Sequence, residues 1–126
     1  MPLCEVFCFC EQSGFASGKL NIMGIFSGVR LLEIPTQLAV GFVIRLRFDL
    51  ADDSTHTLRL RVTHPDGKER WLGLPDVTPE PTGEESFAFP VVQGKLPLVV
   101  ETFGDYVVTL FVDDTRVAET TLSAEK

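Results

Sequence analysis

Two stretches decide the fold: Gly41-Phe42-Val43-Ile44-Arg45-Leu46-Arg47-Phe48-Asp49 and, a short way on, Leu58-Arg59-Leu60-Arg61-Val62. Phe42, Ile44, Leu46 and Phe48 are apolar at every second position of the first, as are Leu58, Leu60 and Val62 in the second. In a strand, successive side chains point to opposite faces, so each stretch carries one apolar face suited to a core. A symmetric hairpin between them pairs Phe48 with Leu58, Leu46 with Leu60 and Ile44 with Val62. The same register sets Arg47 opposite Arg59 and Arg45 opposite Arg61 on the other face.

Directly opposed like charges disfavour a sheet, so four arginines in a block need a reason. One is that Glu33, Glu69 or Glu101 on flanking strands interleave with them, while the arginine stems cover apolar surface. The other is functional: Arg45, Arg47, Arg59 and Arg61 form an anion-binding patch for a phosphate, a carboxylate or an acidic partner surface, which guanidinium forks match bidentately. A register shift of two through the loop at Leu50 to Ser54 leaves the arginines on the same face.

Working outward, strands are expected at 3–11, 19–25, 37–49, 55–64, 69–74, 86–92, 105–112 and 116–122. Ser13 to Gly18 reads as a break, Gly24 as a bulge, and Pro65-Asp66-Gly67 as a turn. Pro75 to Gly83 is a loop with three prolines, Gly94 and Pro97 lie in a link, and Asp113-Asp114-Thr115 turns the last hairpin. Phe26 to Thr36 is irregular, and its Phe26, Val29, Leu31 and Leu32 are expected to cover an open end of the core. There is no convincing amphipathic helix. The pattern predicts an all-β fold: one domain, residues 1–126, forming an antiparallel immunoglobulin-like β-sandwich of seven or eight strands.

The composition agrees with a folded domain. Of 126 residues, 44% are hydrophobic and 23% charged, so the chain can bury enough surface to offset its ordering entropy. Eleven basic against 18 acidic residues give a net charge of −7. That opposes a polybasic membrane binder or a general nucleic-acid coat, and no stacking aromatics are read as interleaving the four arginines. Met1-Pro2-Leu3-Cys4-Glu5 lacks the basic opening of a signal peptide, and no apolar run approaches the roughly 20 residues that span a bilayer. A cytoplasmic location is therefore expected.

The chemistry-bearing residues have bland readings beside sharp ones. Cys4, Cys8 and Cys10 share strand parity, but no nearby histidine completes a thiolate metal site, so they read as small hydrophobes. His56 and His64 flank one strand and could work with Asp52 or Asp66 as acid–base groups, yet no nucleophile sits at a recognisable spacing. Asp52-Asp53 and Asp113-Asp114 could bring carboxylates together for Ca²⁺, or serve their turns through backbone hydrogen bonds. No catalytic residue, metal ligand or cofactor is assigned.

Gly18-Lys19-Leu20-Asn21-Ile22-Met23-Gly24-Ile25-Phe26 resembles the second strand of an uncharacterised family of small bacterial immunoglobulin-like proteins. Ile44 to Arg47, the strand end at Asp66-Gly67, and Gly104-Asp105-Tyr106-Val107-Val108 continuing through Val112-Asp113-Asp114 are similar to further pieces of it. Gly-x-Tyr also resembles the tyrosine corner of many sandwich domains. The resemblance covers most of the chain apart from the cysteine-rich start and the Pro75–Gly83 loop. It implies the fold and carries no activity.

Two functions are expected from different classes. The first is a non-enzymatic protein-binding or assembly module, with a protein partner or self-association through sheet faces, edges and loops. The alternative is a small-ligand or metal-dependent (Ca or Zn) enzyme or binding site in the sandwich loops.

Overall fold

A computed structural model describes residues 2–49, 52, 54–80 and 87–126. Its strands are β1 (Leu3–Ala16), β2 (Lys19–Phe26), β3 (Gly28–Arg30), β4 (Thr36–Asp49), β5 (Leu58–Thr63), β6 (Glu69–Gly73), β7 (Phe87–Ala88), β8 (Val91–Val100), β9 (Gly104–Val112) and β10 (Thr115–Glu125). They form two sheets. One runs β2-β1-β4, with β8 and the short β7 both on the far side of β4. The other runs β3-β10-β9-β5-β6. Pairing is antiparallel apart from β3, which lies parallel to β10. The fold is the expected all-β immunoglobulin-like sandwich, with ten strands among the described residues where seven or eight were expected.

The period-two apolar faces are where the sequence put them. Phe42, Ile44, Leu46 and Phe48 from β4, and Leu58, Leu60 and Val62 from β5, are each at most 3% exposed and meet in one core cluster. The hairpin between these strands does not form. β4 is flanked by β1 and β8, whereas β5 is flanked by β9 and β6 in the other sheet. The chain leaves one sheet at Asp49 and enters the other at Leu58. Stacking the two apolar faces against each other buries both at once, while side-by-side pairing would oppose arginine to arginine and leave both faces needing a cover. Leu50, Ala51 and Asp53 of the crossing lie outside the described residues.

Other expectations shift for local reasons. The break begins late: β1 continues to Ala16, and only Ser17 (φ 53°) and Gly18 (φ 72°) turn, the left-handed pair that suits a two-residue hairpin. Gly24, at φ 69°, is the position passed over between the pairs Cys10↔Ile25 and Gln12↔Met23. The Gly94–Pro97 link is instead the middle of β8. Among the described residues that strand pairs with β4 alone, and an edge strand tolerates a residue with no N–H. The strand expected at 86–92 is divided into β7 and the start of β8, with Ser86 outside the described residues. Phe26, Val29 and Leu31 do pack on the core, but Leu32 is 96% exposed.

A bulge between Cys4 and Val6 breaks the shared cysteine parity. Cys4 lies opposite core-facing Leu46, whereas Cys8 lies opposite Val43 on the outer side. All three thiols are free. Past Cys8, β1 runs over the outer face of β4. A Cβ built at Gly41 would overlap the Cys10 carbonyl oxygen, and Ser13 reaches across to bond Gln93 of β8. This cover accounts for Cys10 and Val43 being 2% and 0% exposed although neither faces the core. At the start of β9 the tyrosine corner is present: the fully buried Tyr106 donates its hydroxyl proton to the Thr102 carbonyl at 2.7 Å.

Candidate functional site on two arginine faces

Because β4 and β5 lie in different sheets, the four arginines divide into two pairs on opposite outer faces. No single four-arginine block exists. Aromatic rings do interleave with each pair, against the sequence expectation.

On the first face, Arg45 lies 4.6 Å from the centroid of Phe89, and Arg47 lies 4.7 Å from that of Phe87. Glu5 Oε1 stands 3.2 Å from Arg45 Nε, but without hydrogen-bond geometry. Phe87 and Phe89 belong to a segment running back along the edge of β4, so their proximity to Arg45 and Arg47 is a matter of topology. Expected carboxylate partners Glu33, Glu69 and Glu101 take no part in pairing the four arginines.

On the second face, the register sets Trp71 opposite Arg61 across β6–β5 and Phe111 opposite Arg59 across β5–β9. Arg59 stacks on Trp71 at 4.5 Å and also meets the Asp114 carboxylate. Arg61 lies beside both rings, 5.1 Å from Phe111 and 5.8 Å from Trp71, whose centroids are 5.2 Å apart. Among the described residues no carboxylate pairs with Arg61, and its Nε is covered without a partner. Thr109, its cross-strand neighbour, is wholly buried with its hydroxyl likewise unmatched. Trp71 is 48% exposed. Each such contact contributes about 0.5–1 kcal/mol at exposed positions.

The loop residues meet at one end of the sandwich. His56, 8% exposed, puts Nδ1 2.5 Å from Asp113 Oδ2 and Nε2 2.9 Å from Asp52 Oδ2, with its ring against Phe48. Burial works against a charged imidazole, but the hydrogen bonds to Asp113 and Asp52 and both their charges outweigh it, so the His56 pKa is raised. Asp52 is held below the usual carboxylate range by hydrogen bonds from Ser54 and His56, and Asp113 by those from His56 and the Thr57 N–H. Both ring nitrogens are occupied, so His56 has none free for a substrate proton. It ties Asp52 to the β9–β10 turn, where Asp113 (φ 50°) and Asp114 (φ 65°) are left-handed.

The described residues hold no group of three or more His, Cys, Asp or Glu side chains placed for a metal ion; Asp53 lies outside them. His64 is not in the His56 cluster: it packs edge-on against Tyr106, 5.0 Å between centroids. Burial pushes the Cys4 and Cys8 thiols up, away from the reactive thiolate.

Similarities to known proteins are of fold and family. No curated protein matches the sequence. The Pseudomonas fluorescens alkylpurine DNA glycosylase AlkC, solved bound to DNA containing an abasic-site analogue, superposes with a TM-score of 0.63 at 7% identity, over 99% of this chain and 30% of that one. This chain therefore spans about 30% of the glycosylase, and the likeness is one of fold. An immunoglobulin-like protein from Pseudomonas aeruginosa matches at TM-score 0.42 and 14% identity, over 99% of this chain and 97% of that one. Residues 5–125 match the model of a family of unknown function, DUF6941, and the chain belongs to that family.

Proposed function

We propose that this protein is a non-enzymatic, cytoplasmic protein-binding module that presents its arginine–aromatic faces to a protein partner or to a second copy of itself. The observation that carries this is the stack of Arg59, Trp71, Arg61 and Phe111: a half-exposed tryptophan beside an arginine with no carboxylate partner among the described residues. Tryptophan and arginine are the side chains that most often dominate interface energetics, since both give large contact area together with directed polar contacts. The site has no membrane role in this reading. Nucleic acid ranks behind protein, because a net charge of −7 works against binding a polyanion.

Affinity capture from lysate, with and without nuclease treatment, tests it. Wild type is compared with Arg61→Glu/Trp71→Ala and with Arg45→Glu/Arg47→Glu, each matched for folding by its melting temperature. The reading expects a protein retained by wild type and lost on changing one face. Capture that is the same for all three chains, or that disappears with nuclease, overturns it.

A further inference from the structure

β6 is the outer edge of its sheet, paired with β5 and with nothing beyond among the described residues. Between β6 and β8, the edge of the other sheet, a crevice of about 270 Å³ opens toward the core. Val62, Leu96 and Leu98, each no more than 3% exposed, form its floor with half-buried Leu72. Arg70, Trp71 and Glu101 stand at its mouth.

The register fixes what β6 presents on each side. Arg70 and Leu72 lie opposite Val62 and Leu60, which face the core, so they belong to the crevice side. Trp71 lies opposite Arg61 and belongs to the outer face. Among the described residues Arg61 and Arg70 have no carboxylate partner, as Arg30 and Arg47 have none, whereas Arg45, Arg59 and Arg116 each stand beside one. In a chain of net charge −7, this edge is a place where an acidic segment meets unneutralised cations.

We propose that the free edge of β6 docks an extended segment of a partner protein in which acidic and large apolar residues alternate. The segment adds a strand, and its period of two sends alternate side chains to the two sides of β6. The apolar set enters the crevice and lies on its floor of Val62, Leu96 and Leu98; the acidic set lies along Trp71 and Arg61 on the outer face. Arg61 also selects the occupant. A strand without carboxylates would leave Arg61 unpaired beside it, so casual edge pairing gains less than pairing with an acidic strand. This proposal rests on the binding-module reading and gives it a location and a partner chemistry.

The probe is a fluorescein-labelled nine-residue peptide alternating Glu with Leu or Phe, followed by anisotropy at low salt and at 0.15 M. Its controls are the same peptide with Lys for Glu, and one N-methylated along the backbone edge that would meet β6. Expected are saturable binding by the first peptide alone and slower hydrogen exchange at β6 amides. Affinity should fall about tenfold or more with Arg61→Glu, and not change with Lys19→Glu at the exposed start of β2 in the other sheet. Absence of saturation, or binding indifferent to N-methylation and to Arg61→Glu, overturns the edge site. Binding lost with Arg47→Glu but kept with Arg61→Glu overturns it while leaving the binding-module reading standing. A homodimer in light scattering that Arg70→Glu dissolves makes a second copy the occupant and overturns the partner proposed.

Discussion

Replacing Gly41 with alanine puts a methyl group where the backbone of β1 already lies. The alanine Cβ overlaps the Cys10 carbonyl oxygen and stands 3.5 Å from Lys95 Nζ. A lysine end can swing away, but a backbone carbonyl in a paired strand can move only if β1 lifts from the outer face of β4. Lifting exposes Cys10 and Val43, now 2% and 0% exposed. Overpacking of this kind costs about 1–3 kcal/mol. At roughly 2.1 cal/mol/K per residue, unfolding of a chain this length carries about 0.26 kcal/mol/K, so the melting temperature should fall by about 4–11 °C. The single tryptophan, Trp71, reports unfolding by fluorescence, and the rate at which Cys10 reacts with a thiol reagent reports the lifted strand directly. Gly73→Ala is the internal control. Nothing lies within 4 Å of a Cβ there and its φ is not left-handed, so restricting the unfolded chain should stabilise by about 0.4–1 kcal/mol. If Gly41→Ala behaves like Gly73→Ala and leaves Cys10 protected, the crossing of β1 over β4 is wrong.

Three further outcomes follow from single contacts. Tyr106→Phe removes the hydroxyl that holds the Thr102 carbonyl and should cost about 1 kcal/mol in urea unfolding without altering the m-value; a neutral result would remove the corner as a source of stability. The stability difference between wild type and His56→Gln should depend on pH with a definite sign. A raised His56 pKa contributes fully below its unfolded value of about 6.5 and is lost as pH rises through the folded value, while the lowered Asp52 and Asp113 values contribute above about 3.9 and are lost as pH falls through theirs. The difference should therefore peak between about pH 4 and 6.5, and a flat profile in thermal melts would refute the clasp. Asp113→Ala loses the bonds to His56 and Thr57 in a left-handed turn and should destabilise more than Asp114→Ala, whose bond to Arg59 is exposed; equal melting temperatures would contradict that ranking.

The core was legible because a period of two is a local signal: Phe42 to Phe48 and Leu58 to Val62 announce their buried sides without reference to any other strand. Which strands become neighbours is not local. The two stretches were read as a hairpin since they follow each other in sequence, yet the same apolar faces are buried as well by stacking across the sandwich. That one choice decides whether Arg45 and Arg47 stand beside Arg59 and Arg61 or on the opposite side of the molecule. It also hid the aromatic partners, since Phe89, Trp71 and Phe111 reach the arginines from other segments. Parity is the one local signal of them: Trp71 and Phe111 occupy outward positions on their strands, as Arg59 and Arg61 do on theirs. The bulge after Cys4 breaks only the shared parity of Cys4 with Cys8 and Cys10, because one extra residue reverses every later side chain of the strand. The His56 clasp joins residues far apart in sequence, and only the turn chemistry of Asp113-Asp114 was visible beforehand.

The division of the arginines between two faces underlies everything functional proposed for this protein, and a disulfide test measures it. In a chain with Cys4, Cys8 and Cys10 replaced, Arg47→Cys is combined with Arg59→Cys, and separately Arg61→Cys with Thr109→Cys. The second pair are cross-strand partners in β5–β9, at the Cα separation of about 4.5–5.5 Å that a disulfide can bridge. The first pair sit on opposite outer faces of sheets stacked about 10 Å apart, beyond that reach. Mild oxidation should close the 61–109 bond and leave residues 47 and 59 as free thiols in the monomer. A quantitative 47–59 disulfide in folded monomer would restore the hairpin and contradict the two-face architecture.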